Sequence, residues 1–379
     1  MMTRRRILLL RPDNIGDMVL FSGAIRHIRE FYADDIITLA VQPHIINLVE
    51  LCPYVNDIIP VPHLLSWKNI EKGWLFQHYC YRRFRKNIER IKNSLFPKYD
   101  MILFPVKSPD MAQLELIFNL SVKRVTGVTG CSINAPLTGF PLHLNPYRLF
   151  SDYIDMAGTD PWWHEFAATL DYLRNLGCKV EGVEDLAPEF WVSAVDREYA
   201  QWQMGDGAGP VIGLFPGASH ATRTWSAENY GPLCRAIATD TKFVIFGGPD
   251  DVSLAGDVEA AVGKFIQSDR IINLAGRTTL RQLVGCISRC TLLISMETVA
   301  LHMGIALGIP TVGIVGGGHY GRFVPWGDPG KNLILTEKMD CFNCNWRCRY
   351  ENPPCIQKVR PEVVAAAVSG LLETYASRK

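Results

Sequence analysis

The chain has 379 residues, of which 48% are hydrophobic and 20% are charged, and this composition excludes large-scale disorder and fibrous structure. The 39 Lys and Arg residues balance the 38 Asp and Glu residues, so the net charge of +1 argues against nucleic acid as a partner. No apolar run reaches the roughly 20 residues that a membrane-spanning helix needs, and Arg11 interrupts the N-terminal apolar run too early for a signal peptide. We therefore expect a soluble, cytoplasmic protein.

The first half of the chain predicts strands that alternate with helix-length segments. An apolar run at residues 7–10 is typical of a buried parallel strand, and the polar loop 11–16 leads into a predicted helix from residue 17 to about 32. Further strand-like runs lie at residues 36–41, 58–61 and 101–104. This alternation indicates βαβ units around a parallel sheet.

The second half repeats the alternation after a Gly-containing polar stretch at residues 203–210, which is typical of a linker between domains. Predicted strands lie at residues 211–215, 243–246, 271–274, 292–295 and 311–315. Predicted helices lie at residues 227–238, 252–262, 280–288, 298–307 and 361–376. We expect an N-terminal domain over residues 1–200, a C-terminal domain over 210–360 and a C-terminal helix at 361–379.

Two such halves predict an α/β protein made of two doubly wound, Rossmann-like domains that face each other across a cleft. We expect the C-terminal helix to pack back on the N-terminal domain. Ligands of doubly wound sheets bind beyond the carboxyl ends of the strands, so the loops that follow the strands are where site residues are expected.

Gly16 and Asp17 follow the first predicted strand. Gly16 permits a tight turn or a close approach of the backbone to a ligand. Asp17, at the start of a helix that faces the cleft, is a candidate general base for a sugar hydroxyl. Alternatively, Asp17 only caps the helix, whose N-terminus also favours the ionised and therefore less basic carboxylate.

A loop of the second half carries groups suited to a nucleotide diphosphate. It spans residues 215–225 and contains Gly217, Ser219, Thr222 and Arg223. Hydroxyls, backbone amides and a guanidinium are the groups that bind phosphates. An ordinary polar loop ahead of a helix would have the same composition.

A second candidate group for binding a nucleotide lies where a predicted strand passes into a helix. Thr298 and His302 are four residues apart and share one helix face, where backbone amides could bind phosphate. Glu297 could accept hydrogen bonds from ribose hydroxyls. The alternative for His302 is a structural role on a mostly apolar helix.

Three consecutive glycines at residues 316–318 follow the next predicted strand. Glycines at the end of a buried strand suggest that another group approaches the backbone closely. A flexible turn would also explain them.

Four cysteines share one short segment with the spacing C-x2-C-x3-C-x6-C. They are Cys341, Cys344, Cys348 and Cys355. In a reducing compartment such a cluster favours metal ligands over disulfides or unrelated free thiols. Four thiolates can close a tetrahedral zinc or iron site, and a closed site of this kind is structural because no position is left for a substrate.

A basic segment between Trp67 and Lys98 contains nine Lys and Arg residues and two acidic residues. An apolar stripe at helical spacing predicts that one face of this segment packs in the core. Arg82, Arg83, Arg85 and Lys86 could then contact an anionic acceptor or a lipid surface. A solvated helix face is the alternative.

Several stretches resemble the heptosyltransferases, glycosyltransferase family 9, which extend lipopolysaccharide cores in bacteria. They include the Gly-Asp turn, the Pro-Gly-Ala loop that leads to a basic residue and Trp, a Leu-x-Gly-x-Thr-x-Leu element and a His-x-x-x-Ala-x-Gly-x-Pro run. The resembling stretches lie at residues 7–17, 47–59, 215–225, 274–280 and 302–315.

This resemblance implies a GT-B fold with the acceptor on the N-terminal domain and the nucleotide sugar on the C-terminal domain. It implies an inverting, metal-independent transfer in which Asp17 matches the catalytic base. Arg223, Thr298 and His302 match donor-binding positions.

The chain departs from the family pattern in one element and adds two others. Glu297, Thr298 and Val299 stand where the family usually carries Asp, Thr or Ser, and Gly. The run at residues 316–323 and the cysteine cluster resemble a divergent branch that includes autotransporter heptosyltransferases, in which the cysteines hold an iron. That branch glycosylates proteins.

We therefore expect heptose transfer from ADP-heptose to a hydroxyl of a lipopolysaccharide, glycan or protein acceptor, with possible peripheral contact at the inner membrane. One alternative is a nucleotide-sugar-binding GT-B protein with impaired catalysis, which the altered residues at 297–299 favour. Another is a GT-B transferase or epimerase that uses another nucleotide sugar.

Overall fold

The computed structural model describes residues 4–61, 99–109, 111–130, 144–156, 163–205, 207, 209–237 and 240–376. The chain divides into two compact units, Met1–Pro188 and Glu189–Lys379. This boundary lies earlier than the predicted linker at residues 203–210. The helix at residues 194–204 packs against the helix at 280–288, and an ion pair of 2.9 Å joins Asp196 to Arg281. The segment before the predicted linker therefore belongs to the second unit.

The first unit contains a six-stranded parallel sheet with the strand order β3-β2-β1-β4-β5-β6. Its strands are β1 (Arg6–Arg11), β2 (Ile36–Val41), β3 (Asp57–Pro60), β4 (Met101–Phe104), β5 (Arg124–Thr129) and β6 (Asp152–Asp155). Its described helices are α1 (Ile15–Phe21), α2 (Ala24–Phe31), α3 (Ile46–Val49), α4 (Met111–Leu120), α5 (Pro146–Leu149) and α6 (Glu165–Leu176). The direction of strand addition reverses between β1 and β4, which is where doubly wound sheets bind ligands.

The predicted helix at residues 17–32 is two helices, α1 and α2, separated at Ser22 and Gly23. The Ser22 hydroxyl donates a hydrogen bond of 2.7 Å to the carbonyl of Val19. A Cβ on Gly23 would lie 2.2 Å from the carbonyl oxygen of Ala187. The break exists because backbone from the end of the first unit packs directly on Gly23, and this contact has no signature in the local sequence.

The second unit repeats the architecture with the strand order β12-β11-β10-β7-β8-β9. Its strands are β7 (Val211–Phe215), β8 (Lys242–Ile245), β9 (Ile271–Asn273), β10 (Leu292–Met296), β11 (Thr311–Ile314) and β12 (Asn332–Leu335). Its described helices are α7 (Ala194–Met204), α8 (Tyr230–Ile237), α9 (Val252–Gly263), α10 (Leu280–Ser288), α11 (Val299–Ala306), α12 (Pro354–Gln357) and α13 (Pro361–Ala376). All strand pairs are parallel, and the order reverses between β7 and β10. The predicted pair of doubly wound sheets is confirmed.

The C-terminal helix α13 packs on the second unit, and its predicted packing on the N-terminal domain stays a prediction. It packs against α8 and contacts β11. Val364, Val368 and Leu371 recur at helical spacing and join the apolar core beside Ile294 and Val312. The helix packs on the second unit because this stripe completes the cover of the second sheet.

Among the residues that the structure describes, no helix combines the length and the apolar character needed to span a bilayer.

Candidate active site

Asp17 is the third residue of α1, and its carboxylate accepts a hydrogen bond of 3.3 Å from the backbone N–H of Asn14. The side chain therefore makes the capping contact that one interpretation of the sequence predicted. Asp17 is nevertheless partly exposed. A carboxylate that is fixed at a helix start and open on one side can also accept a proton from a substrate hydroxyl. Gly16 precedes it within the same turn of helix.

Arg11 holds the loop that leads to Asp17. Its guanidinium donates to the carbonyl of Pro105 at 2.5 Å, after β4, and to the carbonyl of Asp17 at 3.1 Å. It also lies 4.4 Å from the ring centroid of Phe21. Because one rigid, buried side chain ties the ends of β1 and β4 to the first turn of α1, the position of Asp17 is set by the sheet.

Asp13 is a second carboxyl group in this loop, and the sequence analysis missed it. Its carboxylate pairs with Arg11 at 2.9 Å, and its side chain is 15% exposed. Burial raises the pKa of Asp13 to about 7, Arg11 opposes the rise, and the charge of Asp17 adds to it. Two acidic residues four apart beside an Arg, at the end of a buried strand, are the signal that could have found it.

In the second unit, Arg223 gathers residues from the loops after β7 and β10. It donates to the hydroxyl of Ser219 at 2.9 Å and to the carbonyl of Glu297 at 2.9 Å. Its guanidinium lies 3.7 Å from the Glu297 carboxylate. These two loops flank the reversal point of the second sheet, so the predicted donor-binding residues Ser219, Arg223 and Glu297 form one group at the place where such sheets bind ligands.

Glu297 is 4% exposed, and neither of its carboxylate oxygens has a hydrogen-bond partner within the described part of the chain. Burial raises its pKa to about 7, and the charge of Arg223 opposes this rise. A buried carboxyl group without a donor is costly. Hydroxyl groups of a ligand could supply such donors.

We expect the folded protein to lose stability between pH 4.5 and about 7, in part because of Glu297. In this range the folded state keeps a proton that the unfolded chain releases. The stabilisation is complete below the unfolded pKa and is lost as the pH rises through the folded pKa, by on the order of 3 kcal/mol in total. Urea unfolding of Glu297→Gln across this range should show a flatter profile. Asp13 acts in the same direction, so Asp13→Asn is the companion variant, and a wild-type slope in Glu297→Gln would contradict the assignment.

His302 lies on α11, as predicted, but Thr298 does not. Thr298 is the residue before the first turn, and its buried hydroxyl has no hydrogen-bond partner among the described residues. Nδ1 of His302 accepts a hydrogen bond of 3.0 Å from Nε1 of Trp326, and the two rings stack. Since an indole N–H only donates, the neutral imidazole carries its proton on Nε2. His302 is therefore fixed as a donor at Nε2, and Trp326 is the partner that the sequence did not reveal.

Two predicted residues have contacts that differ from those expected of donor-binding residues. Gly217 is small because the carboxylate of Asp251 occupies the space where its Cβ would lie, at 2.3–2.5 Å. The hydroxyl of Thr222 pairs with Nδ1 of His220 at 2.9 Å. Neither residue contacts Arg223 in the described hydrogen bonds. The predicted acceptor residues Arg82, Arg83, Arg85 and Lys86 lie outside the described residues.

The four clustered cysteines line one small cavity together with Phe342 and Trp346. They are Cys341, Cys344, Cys348 and Cys355, and all four are free thiols. Burial raises the pKa of Cys344 and of Cys355. In the described part of the chain, no three His, Cys, Asp or Glu side chains are arranged to hold a metal ion.

The three glycines at residues 316–318 pack directly against aromatic side chains of the segment that carries the four cysteines. A Cβ on Gly317 would lie 2.2 Å from the ring of Phe342, and Cβ atoms on Gly316 and Gly318 would lie 2.5 and 2.4 Å from the ring of Trp346. The backbone N–H of Asn343 also donates to the carbonyl of Gly317 at 2.7 Å. The group that closely approaches the glycine backbone is therefore the chain's own cysteine segment, residues 341–355.

Comparisons with known proteins agree with this fold. Residues 169–350 match the model of glycosyltransferase family 9, described as heptosyltransferase. Lipooligosaccharide heptosyltransferase 2 of Haemophilus influenzae is 27% identical over 317 residues, which cover 82% of this chain and 83% of that protein. The Campylobacter jejuni protein of the same name is 24% identical over 166 residues, which cover 43% of this chain and 51% of its own length. This last match spans about half of the relative.

Solved structures share the architecture. E. coli ADP-heptose lipopolysaccharide heptosyltransferase II superimposes with a TM-score of 0.67 at 19% identity, over 98% of this chain and 99% of that one. TibC, an iron-containing dodecameric glycosyltransferase from enterotoxigenic E. coli, superimposes with a TM-score of 0.52 at 12% identity, over 98% of this chain and 77% of that one. At these identities the structures show the two-domain Rossmann-like fold of such glycosyltransferases.

The chain is therefore similar to the glycosyltransferases of family 9.

The family 9 match covers the second-unit site more fully than the first-unit site. Arg223, Glu297, Thr298 and His302 all fall within residues 169–350, whereas Asp17 lies outside that range. The longer alignment to the Haemophilus relative covers most of the chain. The role of Asp17 therefore depends on its own geometry and on the resemblance of the Gly-Asp turn.

Proposed function

We propose that this chain is an inverting heptosyltransferase that moves heptose from ADP-heptose to a hydroxyl of a lipopolysaccharide-type acceptor. The observation that carries the proposal is the grouping of Ser219, Arg223 and Glu297 at the reversal point of the second sheet. The group combines a fixed guanidinium for a diphosphate with a carboxyl that lacks donors. The heptosyltransferase relatives support the choice of donor.

The first unit supplies the base in this proposal. Asp17 takes the proton of the acceptor hydroxyl as that oxygen attacks the anomeric carbon of the donor. The bond between the anomeric carbon and the diphosphate breaks in the same displacement, and its electron pair leaves with the diphosphate. A single displacement inverts the anomeric configuration, and the proton ends on the Asp17 carboxylate.

The second unit stabilises the leaving group. Negative charge develops on the diphosphate, and Arg223 lies close to the N-terminus of α11, since it contacts Glu297 two residues before that helix begins. A guanidinium and the backbone amides of a helix start both stabilise such charge. Nε2–H of His302, on this helix, and the hydroxyl of Thr298, just before it, are further donors. The resemblance predicts that no metal takes part in the transfer, and this stays a prediction.

The acceptor in this proposal is a lipopolysaccharide-type sugar hydroxyl. The names of the relatives favour a lipopolysaccharide or lipooligosaccharide core sugar. The resemblance of the cysteine segment favours a protein acceptor instead. We keep the cytoplasmic location, with peripheral contact to the inner membrane, as a prediction.

A second candidate is a nucleotide-sugar-binding protein with impaired catalysis. The contact between Arg223 and the Glu297 carboxylate favours it, because an ionised Glu297 competes with a diphosphate for the same guanidinium. Below a pH of about 7 the raised pKa keeps Glu297 largely neutral and weakens this competition. A transferase specific for another nucleotide sugar stays an alternative for the same site.

One pair of measurements tests these candidates. Calorimetry with ADP-heptose, ADP, UDP and UDP-glucose identifies the nucleotide, and a transfer assay with lipopolysaccharide core acceptors then detects ADP release with heptosylated product. We expect binding of the adenosine nucleotides and turnover. Binding without turnover would favour the impaired protein, and a preference for uridine nucleotides would overturn the choice of donor.

We also propose that the four cysteines bind one structural zinc or iron ion. Four thiols that line one cavity have the donor chemistry of a closed metal site, although no three of them are arranged around an ion in the described structure. A bound ion would supply a cross-link between Cys355 at α12 and the loop that carries the other three cysteines. The iron-containing TibC has the same overall fold.

Purified protein is expected to contain about one equivalent of zinc or iron, because four-thiolate sites bind tightly. Elemental analysis after anaerobic purification measures this, with Cys348→Ser as the variant that loses metal. Cys286→Ser, which removes a buried thiol outside the cluster, is the matched control and should keep the metal. Less than a tenth of an equivalent in the wild type would contradict the proposal.

A further inference from the structure

One face of the Arg223 guanidinium is covered by an aromatic ring. The guanidinium carbon lies 4.4 Å from the ring centroid of Trp346. Trp346 belongs to the cysteine segment, defined as residues 341–355, and is far from Arg223 along the chain. The contact adds a third support to the guanidinium, beside Ser219 and Glu297. A stacked guanidinium has less freedom to rotate, which preorganises its N–H groups.

Two contacts fix the Trp346 side chain, a hydrogen bond from its indole N–H and packing of its ring on the glycine backbone. Its Nε1–H donates to Nδ1 of His319 at 3.2 Å, which leaves the imidazole proton on Nε2, facing the side-chain oxygen of Asn345 at 2.6 Å. The ring rests on Gly316 and Gly318, where no Cβ could fit.

The backbone around Trp346 adopts an unfavourable conformation, which indicates that the fold specifies the orientation of the Trp346 ring. Asn343, Asn345 and Trp346 all have positive φ angles, of 64°, 50° and 57°. Left-handed backbone is unfavourable for residues with a side chain, and least common for bulky ones such as Trp. Cys344 and Cys348 lie two residues on either side of Trp346, and all four cysteines share its cavity. The Trp346 ring is therefore fixed by the backbone of the cysteine segment, by His319 and by the three glycines at residues 316–318.

We propose that Trp346 is a positioning residue for the donor site, and that the cysteine segment serves to hold its ring over the Arg223 guanidinium. Arg223 touches the donor diphosphate, and Trp346 acts on the donor only through Arg223. The inference deepens the proposed function and uses its assignment of Arg223. It also gives the cysteine segment a purpose in the site, because it couples that segment to the group that binds phosphate.

Titration of the full-length protein with ADP tests the proposal. Trp346→Leu removes the ring and is expected to weaken ADP binding by roughly 3- to 30-fold, the range of a cation–π contact at a partly buried site. Trp346→Phe keeps an aromatic face and should recover most of that loss. Trp202→Leu makes the same chemical change at a largely exposed residue of α7 and should bind ADP as the wild type does. In transfer assays, Trp346→Leu should raise KM for the donor more than it lowers kcat.

A second readout separates this proposal from the proposed function. The side chain N–H of Arg223 at Nε is buried and lacks a hydrogen bond in the described structure, so the facing indole ring should shift its ¹H–¹⁵N resonance. Arg223→Lys assigns that signal. The shift should disappear in Trp346→Leu and persist in Trp202→Leu.

The outcomes divide cleanly. If the wild type shows the ring-dependent shift but binds no ADP, the proposed function fails and the positioning of Arg223 stands. Absence of the shift overturns the positioning role, as does an ADP affinity in Trp346→Leu equal to the wild type. A loss of affinity in Trp346→Phe as large as in Trp346→Leu overturns it too, because a ring face would then not be what matters.

Discussion

Replacing Asp17 by Asn is expected to abolish sugar transfer and to leave donor binding intact. Asn keeps the size of the side chain and an oxygen that can accept the 3.3 Å hydrogen bond from Asn14. It cannot take a proton from an acceptor hydroxyl. Loss of a general base lowers kcat by about 10²- to 10⁴-fold. Single-turnover transfer assays with saturating donor, together with calorimetry of ADP binding, measure the two effects separately.

Two variants separate the base from the cap. Asp17→Ala removes the capping acceptor as well and should cost about 1 kcal/mol of stability beyond the loss of transfer. Asp185→Asn makes the same chemical change at another carboxylate of the first unit, which accepts a backbone N–H from Glu181 at 2.9 Å. That variant should transfer sugar normally. Near-normal turnover of Asp17→Asn would remove Asp17 from the mechanism.

Substitution of Arg223 is expected to give the second large effect, on donor affinity. Arg223→Lys keeps the charge but loses the two guanidinium nitrogens that donate at the same time to Ser219 and to Glu297. Charge-assisted hydrogen bonds are worth about 1.5–3 kcal/mol each, so donor binding should weaken by about 10- to 100-fold. Arg235→Lys, at another guanidinium of this unit that lies over a ring, Phe265, is the matched control and should bind the donor normally.

Arg223→Ala adds a stability defect with a predictable pH dependence. Without the guanidinium, nothing opposes the burial that raises the pKa of Glu297. Above neutral pH the variant must ionise a buried, unpaired carboxyl or keep it protonated, and losing one partner of a buried pair costs about 3–5 kcal/mol. The double variant Arg223→Ala/Glu297→Gln should regain stability but not ADP binding. Recovery of binding as well would place the diphosphate elsewhere.

Central elements of both sheets could be predicted because their side chains are apolar regardless of their neighbours. β1, β10 and β11 are short apolar runs that are buried throughout or nearly so. α10 and α13 have the bounds that the sequence predicted. The strands β5, β6 and β12 were not predicted. β6, Asp152–Asp155, is an edge strand with mostly exposed side chains, so its pairing with β5 comes from the sheet and not from its own composition.

The sequence predicted those residues of the candidate site whose chemistry is evident from the residue type alone. Arg223, Glu297 and the four cysteines stood out because charges and thiols at strand ends or at close spacing are unusual. Trp346 and Asp13 did not stand out. Trp346 matters because it reaches Arg223, and Asp13 matters because folding withdraws it from water beside Asp17. Neither property exists before the chain folds.

The amino-acid pattern alone established two parallel α/β sheets and the loops that carry the reactive side chains, because strand burial and strand-end chemistry depend on nearby residues. Packing decided everything that joins distant parts of the chain. It placed α13 on the second unit, broke the first helix at Gly23 and brought the cysteine segment onto the glycines at 316–318 and against Arg223. These contacts depend on the shapes of the packed side chains and on which residues are close in space, and neither can be read from the amino-acid sequence.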